Sequence, residues 1–182
     1  RVLFRSLLRL VPGLHVARID SSKWAVSARG FNSEFSNKLL VLIDGRSVYT
    51  PLFSGVYWEV QDVMLEDIER IEVIRGPGAA LWGANAVNGV INIITRPASE
   101  TTGSLLSLGA GSEEQGYGAF RYGTKISDQT AWRFYGKFKN HDAAVDSEGH
   151  RTSDDWRYAH AGFRLDHQPD KKDHWTIQGD IY

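Results

Sequence analysis

The chain has 182 residues, a formal net charge of −1, 42% hydrophobic and 24% charged residues, and no cysteine. This length suits one ordinary domain, or one domain and part of a second, and the composition is typical of a globular protein. The balanced charge argues against a nucleic-acid partner, and the lack of cysteine excludes disulfides and thiolate metal sites. Apolar runs stay well below the roughly 18 residues of a membrane-spanning helix, so we do not expect a helical membrane protein.

The first residues predict a short amphipathic helix. Apolar side chains recur there at helical spacing, at Leu3, Phe4, Leu7, Leu8 and Val11. The dipeptide Pro12-Gly13 then ends the pattern. The chain opens on Arg1 without a signal-peptide pattern, so we expect its N-terminal part to be truncated.

Three short apolar runs next predict buried strands. They are 39–43, 71–74 and 90–94, and each is bounded by Gly, Asp or Pro. Solid apolar runs of this length are typical of strands that are covered on both faces. Together with the short helix they predict a small mixed α+β domain.

The pattern changes near residue 98, where we place a boundary between a first domain, 1–98, and a second, 99–182. Beyond the boundary, apolar and polar residues alternate, which predicts antiparallel strands. The predicted strands are 103–111, 116–126, 130–140, 156–167 and 174–182.

Four of these strands show one apolar and one charged face. In the segment 130–140, Phe134 and Phe138 share one face, and Arg133 and Lys137 share the other. A soluble antiparallel sandwich and a membrane barrel both give this alternation. Strands of about ten residues, joined by turns that alternate short and long, favour the barrel. In a barrel the apolar face meets lipid.

Catalytic and metal-binding patterns are absent from the sequence. The segment 71–81 resembles a dinucleotide-binding turn, but Leu81 stands where that motif requires glycine, and no acidic residue follows about 20 positions later. The six histidines lack metal-ligand spacing, and no serine lies in a G-x-S-x-G elbow. We therefore expect no enzyme, no cofactor and no bound metal.

Four segments carry a family resemblance. They are Val11–Val16, Ser27–Phe31, Leu39–Arg46 and Ile68–Thr95. In order and spacing they closely resemble the plug domain of TonB-dependent outer-membrane receptors, and the later strands resemble the start of that family's barrel in pattern. The resemblance implies an α+β plug domain followed by antiparallel β-strands of an incomplete transmembrane β-barrel, since even small membrane barrels need about eight strands.

The resemblance also implies a function. It is that of a ligand-gated, TonB-energised receptor that takes up a scarce nutrient across the outer membrane of a Gram-negative bacterium, with a ferric siderophore as the expected ligand. Other expected partners are outer-membrane lipid and a TonB-type energy-transducing protein that acts through a segment before residue 1. Cobalamin, another metal chelate or an oligosaccharide are alternative ligands, and a soluble β-rich binding or adhesion module is the alternative class.

By motif position, the resemblance assigns two groups of residues. Arg29 and Arg75 correspond to plug arginines that pair with glutamates of the barrel wall, and guanidinium groups suit that role because they bind carboxylates bidentately. Apical loops of the plug meet ligand in the family. The residues expected to contact ligand are Arg18, Phe35, Ser36, Tyr57 and Trp58.

Overall fold

The computed structural model describes residues 4–30, 32–170 and 172–182. The chain divides into two compact units, Arg1–Thr95 and Arg96–Tyr182. This division falls close to residue 98, where the sequence pattern changes. Leu3 of the predicted helix and Phe31 of the plug motif lie outside the described residues.

The described part of the first unit contains two short α-helices and six strands. The helices are α1 (Phe4–Leu7) and α2 (Ala79–Trp82), and the strands are β1 (Leu14–Arg18), β2 (Trp24–Ala28), β3 (Leu39–Ile43), β4 (Arg46–Ser47), β5 (Ile68–Arg75) and β6 (Gly89–Thr95). The predicted N-terminal helix is confirmed as one α-turn, which a 3₁₀ turn at Leu8–Leu10 continues. Within the described ranges, no helix combines the length and apolarity needed to cross a membrane.

The strands of the first unit form two sheets. β1 and β2 make an antiparallel hairpin, and the second sheet has the order β4-β3-β6-β5. In it β3 and β6 run parallel, and the other neighbours are antiparallel. All three apolar runs that predict strands are confirmed, as β3 and as parts of β5 and β6. β3 and β6 are the central pair, which explains why they are apolar and buried along almost their whole length.

The core of the first unit joins the hairpin to the mixed sheet. Its buried members come mainly from β2, β3 and β6, and include Trp24, Val26, Val41, Ile91 and Ile93. Tyr49 packs against this core and also against a smaller cluster on the other face of the sheet. Its hydroxyl donates to the carbonyl oxygen of Leu39 at 2.8 Å, and burial raises the pKa of Tyr49 to about 12. These contacts fix the start of the loop that follows Tyr49.

The second unit is one antiparallel sheet. Its strands are β7 (Gly103–Gly109), β8 (Glu114–Ser127), β9 (Thr130–His141), β10 (Trp156–His167) and β11 (Trp175–Ile181), in the order β11-β10-β9-β8-β7. The five predicted strands are confirmed. Each pairs with its neighbour in sequence, so this part of the chain is a simple meander.

The apolar face of this sheet is exposed, and most of its charged face is buried. Phe134 is 38% exposed, and its cross-strand neighbours Tyr122 and Phe163 are exposed as well. On the opposite face, Arg133 and Lys139 are only 4% and 1% exposed. The predicted apolar face is therefore exposed in the structure, and the predicted charged face is mostly buried.

Charged residues of the second unit hold the segment 96–101 against the sheet. Arg133 Nη1 donates to the carbonyl oxygen of Arg96 at 2.7 Å and to Thr101 Oγ1 at 3.1 Å. Asp166 Oδ2 accepts the backbone N–H of Ala98 at 2.7 Å. Buried charges require hydrogen-bond partners, so part of the polar face is used to fix backbone rather than to build a hydrophobic core.

Candidate functional site

The loop between β1 and β2 is closed by its own hydrogen bonds. Asp20 Oδ1 accepts the backbone N–H groups of Ser22 and Lys23 at 2.9 and 2.7 Å. Arg18 Nε donates to the carbonyl oxygen of Asp20 at 2.9 Å, so the guanidinium group folds back onto the loop. The loop therefore presents Arg18 and Lys23 from a fixed turn.

The loop before β3 is fixed in a similar way and is linked to the first loop. Ser36 Oγ donates to the carbonyl oxygen of Ser33 at 2.8 Å and accepts the N–H of Ser33 at 3.1 Å. Lys23 Nζ lies 3.5 Å from Glu34 Oε1. The ring of Phe35, on the same turn, is exposed.

An aromatic cluster joins this second loop to a third, residues 50–57. The Phe53 ring makes edge-to-face contacts with Phe35 and Tyr57, with centroids 5.1 and 5.0 Å apart. Gly55 is required here, because a Cβ at this position would collide with the Phe53 ring and lie 3.0 Å from the carbonyl oxygen of Ser36. Two loops that are distant in sequence thus meet at one aromatic cluster, and the Lys23–Glu34 ion pair links the β1–β2 loop to them.

Trp58 is one of the residues predicted to contact ligand, but its side chain does not lie on this surface. Its side chain is 4% exposed and belongs to the core of the first unit, together with Val56. Tyr57, by contrast, stays half-buried at the aromatic cluster. We therefore assign Trp58 to packing. Phe53, which the sequence analysis did not select, belongs to the candidate surface instead. The sequence signal for it is Gly55, because only glycine leaves room for the Phe53 ring.

A cavity of about 210 Å³ lies behind Phe35 and Ser36. Its lining mixes polar and apolar residues: Ser27, Ala28, Gly30, Ser33, Phe35, Ser36, Asn37, Lys38, Leu39 and Asn88. Ser27 Oγ is buried and has no hydrogen-bond partner among the described residues. The cavity therefore offers hydroxyl and amide groups to a polar occupant.

The two predicted arginines converge on a second cavity. This cavity, of about 340 Å³, is lined by Gly13, Ala28, Arg29 and Arg75, none of the described lining residues being acidic. Arg75 Nη1 donates to the carbonyl oxygen of Pro12 at 3.1 Å. Both arginines are exposed, so each can accept an anionic partner.

The backbone at this cavity has positive φ at Arg29 and at Gly76, the residue after Arg75. Arg29 has φ +58°, a left-handed conformation that L-residues seldom adopt. Gly76, directly after Arg75, has φ +118°, and a Cβ there would lie 3.5 Å from Arg29 Nη2. The guanidinium group of Arg29 therefore lies over Gly76, which brings the two arginine segments together.

Among the described residues, neither cavity presents a metal site. In the part of the chain that the structure describes, no cluster of three or more His, Asp or Glu side chains could hold a metal ion. The groups present can recognise a ligand through aromatic rings, hydroxyls, amides and cations.

These features together define a class: an α+β plug domain followed by antiparallel strands with an exposed apolar face. The chain belongs to the TonB-dependent receptors, and the family model described as TonB-dependent Receptor Plug Domain matches residues 4–90. Receptors of this family are proteins of the Gram-negative outer membrane, which is therefore the location of this chain.

Two curated relatives illustrate the range of the family. The vitamin B12 transporter BtuB of Vibrio vulnificus is 41% identical over 111 residues, which cover 60% of this chain and 17% of BtuB. A ferric enterobactin receptor of Pseudomonas aeruginosa is 30% identical over 169 residues, which cover 82% of this chain and 21% of that receptor. The chain thus spans about a fifth of the length of these relatives.

Solved structures share the fold. The copper transporter OprC superposes with a TM-score of 0.78 at 21% identity, and the match covers 97% of this chain and 28% of OprC. The ferric yersiniabactin uptake receptor FyuA from Yersinia pestis gives a TM-score of 0.70 at 21% identity, with the same coverage of 97% and 28%. At these identities the likeness concerns the fold.

Proposed function

We propose that this chain supplies the plug and the first barrel strands of a ligand-gated receptor that imports a scarce metal chelate. The observation that carries the proposal is the aromatic cluster of Phe35, Phe53 and Tyr57, where two loops of the first unit meet, while Lys23 and Glu34 link a third loop to them. Binding residues commonly lie on loops that a rigid scaffold holds in place. A surface assembled from three such loops suits the recognition of a large ligand.

The ligand we propose is a ferric siderophore. Aromatic rings provide contact area at low entropic cost, and the exposed Arg18 adds a guanidinium group that can bind an anionic chelate. The ferric enterobactin receptor among the relatives supports this class. Cobalamin is the second candidate, and the 41% identity to a vitamin B12 transporter favours it.

Arg29 and Arg75 are proposed to hold the plug by pairing with carboxylates of the barrel wall in the full-length receptor. Two features support this role: both side chains are exposed, and the described residues that line their shared cavity include no acidic partner. Bidentate guanidinium–carboxylate pairs are strong and also reversible. Such pairs fix the plug in the resting receptor and separate when it is pulled.

The energy for that movement is proposed to come from a TonB-type protein that engages a segment N-terminal to the plug. The receptor itself performs no covalent chemistry in this proposal, and the relatives named above are transport receptors.

Contact with outer-membrane lipid is proposed for the exposed apolar face of β8, β9 and β10. Lysine or arginine on a lipid face costs about 2–4 kcal/mol at mid-membrane, and Arg133 and Lys137 lie on the other face.

Energised uptake tests the proposal. Cells that lack their own receptors for ferric enterobactin and vitamin B12 are given the full-length receptor, and the accumulation of each radiolabelled compound is measured with and without TonB. We expect accumulation of one of the two compounds that disappears in the strain without TonB. Accumulation that is equal in both strains, or that never exceeds the vector control for either compound, would contradict the proposal.

A further inference from the structure

Asn88 is hydrogen-bonded to both segments that carry the arginines. Its side-chain Nδ2 donates to the carbonyl oxygen of Ala28 at 3.1 Å. Its own carbonyl oxygen accepts the backbone N–H of Gly76, also at 3.1 Å. Ala28 and Gly76 are the chain neighbours of Arg29 and Arg75. A residue just before β6 therefore holds the backbone next to each arginine.

The two bonds act on the peptide groups that orient the arginine Cα atoms. The carbonyl of Ala28 belongs to the peptide plane that enters Arg29, so holding it fixes the rotation φ of Arg29. That rotation is +58°, and an unusual conformation of this kind persists when the surrounding structure fixes it. The N–H of Gly76 belongs to the peptide plane that leaves Arg75, so the second bond fixes ψ of Arg75.

We infer that Asn88 is the positioning residue of the arginine pair, holding Arg29 through its side chain and Arg75 through its backbone. The inference rests on the proposed role of the arginines in holding the plug. It also makes an asymmetric prediction. Substitutions that remove the side-chain amide release the backbone next to Arg29, and they leave the bond from Gly76 in place.

An asparagine with a purely structural role gives a different expectation. Asn88 N–H also donates to the carbonyl oxygen of Lys38 at 2.8 Å, so the residue helps to hold its own loop. That backbone bond remains in every Asn88 variant, so if the side-chain bond served only to stabilise the loop, losing it would have the same effect whichever arginine is present. A positioning residue acts through its target, so its effect disappears when Arg29 is already removed.

The test is a set of double-mutant cycles in the full-length receptor. Asn88→Ala and Asn88→Asp are each combined with Arg29→Ala and with Arg75→Ala. Every variant is expressed in the outer membrane of cells that are grown without the ligand. The readout is the rate at which the small chromogenic β-lactam nitrocefin reaches a periplasmic β-lactamase. Asn88→Asp keeps the shape of the side chain but has no N–H to donate, so it carries the test if Asn88→Ala fails to reach the membrane. Asn85→Ala, at an exposed position in the same loop, is the matched control.

We expect both Asn88 variants to raise nitrocefin entry about three- to tenfold, the effect of one lost hydrogen bond. The same rise is expected in the Arg75→Ala background, with no further rise in the Arg29→Ala background and none for Asn85→Ala. Equal rises in every background, or unchanged entry in the Asn88 variants while Arg29→Ala leaks, would overturn the inference alone. Unchanged entry in both arginine variants would overturn the proposed role of the arginines as well.

Discussion

β6 of the first unit completely buries Ile91 and Ile93, whereas β9 of the second unit exposes Phe134 and Phe138 and buries Lys139. Both strands are rich in large apolar residues, yet they use them in opposite ways. β6 is a central strand whose two faces are covered by protein, so apolar side chains are favoured on both. β9 alternates, and its apolar side is exposed. Hydrophobicity alone therefore does not identify the interior of this molecule, and the medium that each face contacts must be known.

The largest effect is expected at the buried strand of this comparison. Ile91→Ala leaves a cavity in the core of the first unit and should lower its free energy of unfolding by about 2–5 kcal/mol. The measurement is the urea midpoint of the full-length receptor, followed by tryptophan fluorescence. Ile74→Ala removes the same atoms from an exposed side chain, and an equal loss in both variants would contradict the different burial of the two residues.

The exposed strand should respond to charge instead of volume. Phe134→Arg places a cation on the apolar face and should destabilise the folded receptor in phospholipid vesicles by about 2–4 kcal/mol, because the cation would lie among acyl chains. Phe134→Leu keeps the face apolar and serves as the control. The equilibrium between folded and unfolded receptor in vesicles is the measurement. Similar values for the two variants would show that this face does not meet lipid.

The regular parts of both regions can be predicted from the sequence because their patterns are repetitive. A period of two fixes which side of β9 holds Phe134, and solid apolar runs mark β3 and β6 as central strands. Irregular loops have no such period. Adjacent residues Tyr57 and Trp58 are both aromatic, and whether one turns outward and the other into the core depends on packing against distant segments.

The loop contacts depend on tertiary structure for the same reason. Phe53 and Phe35 are 18 positions apart in sequence, and the 5.1 Å contact between their rings is set by how β3 and β4 place the two loops. Likewise, Asn88 lies 60 positions from Ala28. The resemblance to a family locates the relevant loops, and the structure shows which side chains meet.

A smaller effect is expected at the aromatic cluster. Phe53→Ala removes the ring that contacts both Phe35 and Tyr57, so it should weaken ligand binding by about 1–2 kcal/mol, as truncation of an aromatic anchor does. The measurement is the Kd of the full-length receptor for whichever compound it transports. Leu52→Ala, an adjacent and highly exposed position, is the control. An equal Kd for the two variants would remove the aromatic cluster from the binding surface.

The smallest effect concerns a surface group of β5. Arg70 Nε donates to Glu72 at 2.8 Å, and this hydrogen bond, with a second from Asn92, lowers the pKa of Glu72 below its ordinary value of 4.5. A lowered pKa adds stability that is present above the unfolded-state value and is lost as pH falls through the folded-state value. Between pH 7 and acid, the urea midpoint should therefore fall slightly less in Glu72→Gln than in the unmodified receptor. A larger fall in the variant would contradict this assignment.

Spin labels offer the most direct test of the orientation of the second unit, because the chain has no cysteine of its own. Single cysteines at Phe120, Phe134 and Ile177 on one face, and at Arg121, Arg133 and Lys137 on the other, are labelled in full-length receptor reconstituted in phospholipid vesicles. Collision rates with oxygen, which concentrates in lipid, and with a water-soluble nickel chelate are then compared. We predict high oxygen and low nickel accessibility at the first three positions, and low accessibility to both at the second three. Labels at 120, 134 and 177 that are shielded from oxygen, or that collide preferentially with the nickel chelate, would contradict an outward, lipid-facing apolar surface.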